Sequence, residues 1–473
     1  MNSENPHPVT VVGIGADGWE GLSEASRDAL RAADVILGGA RQLALVPPKE
    51  CSATLEAWPS PLRRAVVPRM AALAGRRVAV LASGDPMFYG IGRTLGDELG
   101  YERLRVLPHP SSMSYACARL GWPSQDTDVV SVVGRPLERV AARLHDGRRL
   151  LVLSSDAQTP ARLARLLRER GFGPSTMWVL EQLGGDRERL LRGTADRWDA
   201  EPGDRLNLVA VHCARAEGAL RLGAVPGLPD EAYESDGQLT KRHVRAATLT
   251  ALAPAPGERL WDVGGGSGSI AIEWLRTHPS CTAHTVERDA TRCERIVRNA
   301  QRLGVPELHV LTGRAPEALD QLPTPDAVFV GGGVTTPGLL ETCWRALPPG
   351  GRLVANAVTL ESEAVLARWY TRHGGELIRL AVGHARPVGG FTGWRQAMPV
   401  TQWAAVRGDD DRPERQPARP ASPGTGPDVG HGPDVGHGLV GEGEVRGRAG
   451  PLAGYGETYE HDATAAEEME DRP

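Results

Sequence analysis

The sequence has no run of about 18 apolar residues, the length a helix needs to cross a bilayer, which excludes a helical membrane protein. Its amino end, Met1 to Pro6, carries no basic region or cleavage signal ahead of the apolar run at Val9. We therefore expect no secretory leader and a cytoplasmic compartment. The six cysteines (51, 117, 213, 281, 293, 343) are scattered, the nearest two being twelve positions apart. That spacing excludes a zinc motif and a dense disulfide framework, so reduced thiols and no metal site are expected. Aromatics are only 5% of the chain, and the net charge of −5 gives no basic footprint, which speaks against a nucleic-acid partner. Lysine is almost missing: Lys49 and Lys241 stand among 52 arginines.

The 473 residues are enough for two or three domains at roughly 150 residues each. From Arg407 onward 7 basic residues face 15 acidic ones in a stretch rich in Gly and Pro, which leaves the rest near +3. Such a segment cannot bury enough apolar surface to offset its ordering entropy, so 407–473 is expected to be a disordered acidic tail. Its near-duplicate segments ending at His431 and His437 read as low-complexity slippage, and no metal site is assigned to them. A second break falls at Val225-Pro226-Gly227-Leu228-Pro229, within an expected linker over 213–235.

Both remaining stretches alternate strand and helix. In the first, β-rich runs at Val9 to Ile14, Val78 to Ala82, Val129 to Val133, Leu150 to Ser154 and Thr176 to Leu180 flank helical stretches such as Ser23 to Ala33 and Ala161 to Arg170. In the second, strands at Arg259 to Val263, Ala283 to Glu287, Leu308 to Thr312, Ala327 to Gly331 and Leu353 to Val358 alternate with helices. Leu377 to Val382 and Gln402 to Val406 then follow without a helix between them, so an antiparallel pair should close an otherwise parallel sheet. That is the seven-stranded methyltransferase arrangement, not the wholly parallel dehydrogenase one.

Asp262-Val263-Gly264-Gly265-Gly266-Ser267-Gly268 lies where a strand turns into a helix. Glycines at 264, 266 and 268 let the backbone approach a ligand, while Ser269 breaks the pyrophosphate fingerprint. Asp262 can meet the ammonium of S-adenosylmethionine, and Glu287, 23 residues beyond Gly264 at the next strand end, can accept its ribose hydroxyls. Upstream, Thr240 is a plausible helix cap before Lys241, Arg242, His243 and Arg245. We assign Lys241, Arg242 and Arg245 to substrate carboxylates.

Those motifs, with Val328-Phe329-Val330-Gly331-Gly332-Gly333, resemble the precorrin-6B (C15) methyltransferase family over about 236–406. The resemblance implies adenine at Gly313 and Ala315, and the chain departs from the family at His243, where Glu is usual.

In the first stretch, Gly13, Gly15 and Gly18 form a literal G-x-G-x-x-G, but no helix follows at once and Asp34 precedes a strand instead of ending one. A second glycine turn holds Gly84 and Asp85. With Pro110-Ser111-Ser112, Val130 to Arg135 and Glu181 to Gly184, these turns resemble the tetrapyrrole methylase family, in its precorrin-7 (C5) branch, over about 9–212. The resemblance implies S-adenosylmethionine in a cleft between two α/β lobes at Gly13, Gly15, Gly84, Asp85 and Ser112, and Val133 replaces a common His.

The expected architecture is therefore α/β throughout: a two-lobed tetrapyrrole methylase domain over 7–212, a linker, a seven-stranded Rossmann-like methyltransferase domain over 236–406, and the tail. The order of the halves resembles the bifunctional precorrin-6Y C5,15-methyltransferase (decarboxylating) family of cobalamin biosynthesis. It implies S-adenosylmethionine as methyl donor and a precorrin substrate; a homo-oligomer is expected separately. Two other readings stay open at this point: an NAD-dependent oxidoreductase using Gly13 to Gly18, and a non-catalytic tetrapyrrole carrier.

Overall fold

A computed structural model describes residues 7–409. All but the first three residues of the expected tail, including His431 and His437, lie outside the described residues. Among the described residues no helix is long and apolar enough to cross a membrane.

Three main sheets carry the chain. The first is wholly parallel, in the order Thr54–Ala57, Val35–Gly38, Val78–Ser83, Val9–Ile14, Leu104–Leu107. Val9–Ile14 sits inside it with almost every residue buried, which explains an unbroken apolar run instead of alternation. The second runs Thr127–Ser131, Arg149–Leu153, Asn207–His212, Thr176–Glu181, Arg189–Thr194, and only its first pair is parallel. The third has seven strands: His309–Thr312, Thr282–Glu287, Arg259–Val263, Ala327–Val330, Arg352–Ala357, Val400–Val406, Glu376–Leu380.

In that third sheet the last two strands are antiparallel, as the missing helix requires. Val400–Val406 inserts between Arg352–Ala357 and Glu376–Leu380, which frees 383–396 to form a separate hairpin, Gly383–Val388 with Phe391–Gln396. Helix starts follow local chemistry. Ser23 Oγ accepts the Ser26 N–H at 3.2 Å and Asp289 accepts that of Arg292 at 3.0 Å. Thr240 does not cap: the helix is Arg242–Leu252, with Lys241 at the cap position and no side-chain cap bond.

The expected linker is not free chain along its whole length. Leu228, Ala232 and Tyr233 are buried in the core of the seven-stranded domain, beside Leu249, Trp274 and Phe329. The halves also meet directly. Arg139 pairs with Glu307 at 2.9 Å, and Arg170 Nε donates to the Arg302 carbonyl at 2.9 Å. Gly304 has φ +83°, and a Cβ there would lie 2.1 Å from the backbone N of Ala142, so only glycine fits this seam. Gly304→Ala should therefore lower stability by about 1–3 kcal/mol, through overpacking and left-handed strain. A denaturant midpoint equal to wild type would show that the seam yields without cost.

Candidate active sites

The first candidate site is a cleft of about 610 Å³ between the first two sheets. Strand ends supply its walls: Ile14 to Ala16 and Leu81 to Asp85 from one lobe, Leu153, Ser154 and Leu206 to Leu208 from the other. Gly15, Gly84, Asp85 and Ser112 line it. Gly13 does not, and its role is packing: a Cβ there would lie 2.1 Å from the Gly84 carbonyl, so the two glycine turns abut only because residue 13 has no side chain. Gly84 adopts φ +60°, and Asp85 Oδ1 accepts the Met87 N–H at 2.8 Å, which folds the turn back. Ser111 caps the following helix through the Ser114 N–H, which leaves Ser112 on the cleft wall.

Sequence reasoning missed three groups here. Among the described residues Arg41 is the one basic side chain lining the cleft, and its Nη2 donates to Ser83 Oγ at 2.7 Å. It opens a short helix after a strand, Val35–Gly38, too brief to stand out. His109, buried, sets Nε2 3.2 Å from Asp17 Oδ1 behind Gly15, and the Tyr115 hydroxyl donates to Asp17 Oδ2 at 3.4 Å. The dinucleotide reading finds no support in this turn, because the helix begins at Glu24, six residues past Gly18, and no helix N-terminus faces the glycines.

The second candidate site is a cavity of about 790 Å³ at the carboxyl ends of the parallel strands of the third sheet. Asp262, Gly264, Gly266, Lys241 and Arg242 all line it, together with His243, Phe329, Asn356 and His384. Gly264 and Gly266 take φ +79° and +58°, conformations that side chains resist. Asp262 is 1% exposed. Burial pushes its carboxyl up to about 7, against weak opposition from hydrogen bonds to the Ala271 amide and the Thr285 hydroxyl, and Glu287 nearby adds to the rise.

Other expected contacts stand back from the cavity wall. Glu287, also buried, accepts the Gly266 N–H at 3.0 Å and the Asp289 N–H at 3.1 Å, so it braces the glycine turn from behind. Gly268 faces Ile296, where a Cβ would come within 2.7 Å of Cγ2. Gly313 donates its N–H to the Glu287 carbonyl at 2.9 Å, and Ala315 packs on the core beneath the sheet.

Arg245 corrects the sequence reading outright. It is fully buried and turned away from the cavity, with Nε 2.5 Å from Glu273 Oε1 and Nη1 3.2 Å from Asp230 Oδ1. It also donates to the carbonyls of Thr240 and Leu228. The signal was present: Arg245, Thr248, Leu249 and Leu252 repeat at helical spacing and are all buried. Lys241, by contrast, is 64% exposed in its side chain, and its ammonium lies 4.0 Å from Asp230.

Two families match the chain in order. Residues 8–199 match Tetrapyrrole (Corrin/Porphyrin) Methylases and residues 231–407 the Precorrin methyltransferase domain. The precorrin-6Y C(5,15)-methyltransferase [decarboxylating] of Sinorhizobium sp is 49% identical over 400 residues, covering 85% of this chain and 96% of that protein. The chain belongs to the precorrin-6Y C5,15-methyltransferase (decarboxylating) family. Two relatives about half its length also match. They are the cobalt-precorrin-7 C(5)-methyltransferase of Salmonella typhimurium, 34% identical over 38% of this chain and 88% of its own, and the probable cobalt-precorrin-6B C(15)-methyltransferase (decarboxylating) of Pyrobaculum aerophilum, 34% identical over 37% and 94%. A member of this methyltransferase family thus has a cleft in one half and a cavity in the other, each walled by glycine turns.

The buried Asp262 makes stability depend on pH. Its folded value of about 7 stands above the ordinary 3.8, so the folded chain holds a proton that the unfolded chain releases between those values. Stability is whole below the lower value and is lost as pH rises towards the upper one. Asp262→Asn, which cannot ionise, should match wild type near pH 4 and exceed it by roughly 4 kcal/mol above pH 7. Thermal scans across that range check this, and parallel curves for the two proteins would contradict it.

Proposed function

We propose that this chain methylates a precorrin-6Y-class tetrapyrrole twice, at C15 in the second cavity and at C5 in the first cleft, and that the second cavity also removes a side-arm carboxyl as CO₂. The observation that carries the reading is the presence of two separate glycine-walled pockets, one in each half of a chain similar along its length to a C5,15-methyltransferase. S-adenosylmethionine is the proposed donor for both. Its fit in the second half rests on Asp262, a buried carboxyl on the wall whose one side-chain partner is a Thr285 hydroxyl at 3.4 Å, and which an ammonium would complete. In the first half the fit rests on Gly15 and Gly84 on the cleft wall, where bare backbone faces the cleft: a Cβ at Gly15 would strike Asp17 and His109 behind it, and Gly84 holds φ +60°.

The donor, when bound, supplies an electrophilic sulfonium methyl. The chain's own work is to align and exclude water. Each methylation forms one carbon–carbon bond, releases a proton from the ring carbon and leaves the electron pair on sulfur. Lys241 and Arg242 stand at the cavity mouth as cationic anchors for substrate carboxylates. Arg242 is pre-set by donation of Nε to the Gly227 carbonyl at 2.8 Å, whereas Lys241 is free to reach. Loss of CO₂ leaves an electron pair for a conjugated ring imine, and Phe329, Ile270 and Val358 give the cavity the apolar surface that favours discharge of a carboxylate.

The full chain, given donor and a precorrin-6Y-class substrate, should yield a product with two added methyls and one lost CO₂ by mass spectrometry. Lys241→Ala should slow C15 methylation and decarboxylation by roughly tenfold or more, the scale of a lost charged hydrogen bond. The same variant should methylate C5 normally when given the C15-methylated, decarboxylated compound. A wild-type product carrying one methyl, or equal damage to both methylations, would overturn this division of labour.

A further inference from the structure

A third, smaller cavity lies at the seam between the halves. It holds about 110 Å³ and is lined from the first half by Tyr89, Val129 to Ser131, Arg135, Arg139 and Arg143, and from the second by Arg276, Gly304 and Glu307 among others. Ligand sites for whole ring systems run to about 300 Å³ and more, so this one has room for a side arm only. Tyr89 and Ser131 line the first cleft as well, and Tyr89 is therefore the partition between the two spaces. Tyr89 holds φ +54°, unusual for an aromatic residue, and its ring lies under the Arg135 guanidinium at 5.6 Å.

Charge is unbalanced in this crevice. Four arginines line it against one carboxylate, Glu307, which Arg139 takes at 2.9 Å. Among the described residues Arg276 has a single hydrogen-bond acceptor, the Leu303 carbonyl at 2.5 Å, for its five donors. Burial lowers its pKa from the usual arginine value while Tyr233 and Glu273 nearby raise it, and the residue is only half-buried. Arg143 has no ion pair or hydrogen bond among the described residues, and Arg135 has only the Tyr89 ring. The crevice is not sealed, since Tyr89 is 50% exposed and Arg135 is exposed, so an anion can enter and take up these free guanidinium donors. The crevice is also held in place, because Gly304 abuts Ala142 with no room for a side chain.

We propose that this crevice is a carboxylate subsite for the tetrapyrrole of the first cleft, so that the second half supplies Arg276 to the reaction of the first. A precorrin carries carboxylate arms around its rim, and one arm passing Tyr89 would meet Arg135, Arg143 and Arg276. The inference rests on the proposed C5 methylation in the first cleft. It also gives the fusion of the halves a chemical purpose, since the second cavity opens at the strand ends, whereas Arg276 ends a helix that starts at those strand ends and runs away from them.

The test is steady-state C5 methylation by the full chain, with the C15-methylated, decarboxylated compound varied. Arg143→Gln and Arg276→Gln should each raise KM roughly tenfold to hundredfold, the equivalent of one charged hydrogen bond, with little change in kcat. C15 methylation and decarboxylation by the same preparations should stay at wild-type rates, which also reports that the variants are folded, and Arg276→Lys should recover part of the loss. Unchanged KM in both Gln variants would overturn the subsite, as would equal loss of both methylations, which marks a structural role. Should Arg276→Gln fail to fold, Arg143→Gln decides alone. A wild-type chain that does not methylate C5 at all would remove the underlying functional reading, and the subsite with it.

Discussion

The second site depends on one buried contact, the Arg245–Glu273 ion pair. A buried pair repays its desolvation only when the remaining donors and acceptors are satisfied, and here they are. Glu273 accepts from the backbone N–H groups of Gly227 and Leu228 and from the Tyr233 hydroxyl, while Arg245 reaches Asp230 and two carbonyls. The pair therefore pins residues 227–233 to the helix that begins with Arg242. Asp230, Lys241 and Arg242, all on the cavity wall, owe their placement to it. Replacing either partner alone would strand a charge in the core, so the geometry of the basic helix start is decided one turn below the groups that use it.

The two halves reach a similar end by different physics. In the first, two sheets face each other across a cleft and backbone does most of the shaping: Gly13 and Gly84 pack turn against turn. In the second, the parallel sheet points its strand ends at one cavity, and a buried carboxyl, Asp262, stands in its wall. The raised pKa of Asp262 has a direct consequence for a cationic ligand. Below about 7 the group is neutral, so ammonium binding must first expel a proton and weakens as pH falls.

Fold was more legible in the sequence than the sites were. Val9–Ile14 and Arg259–Val263 are strands end to end where the apolar runs predict them, because central parallel strands are buried on both faces and need no alternation. Thr54–Ala57 and the hairpin Gly383–Val388 with Phe391–Gln396 escaped, being largely exposed and lacking a core-facing pattern. Glycine turns at Gly15, Gly84, Gly264 and Gly266 were legible because close approach leaves a compositional trace. Charges were not: spacing alone could not separate Lys241, open to the cavity, from Arg245, sealed in the core, although the buried stripe through Thr248 and Leu252 distinguishes them. Arg41, His109 and Arg276 converge on their sites from distant segments, and no local pattern announces such meetings.

The central claim is that one chain holds two independent donor sites. Calorimetric titration of the full chain with S-adenosylmethionine tests it most directly. The account predicts two equivalents bound per chain, with Asp262→Asn removing one and leaving the other at unchanged affinity. A single equivalent in the wild-type protein, or loss of both in the variant, would contradict it.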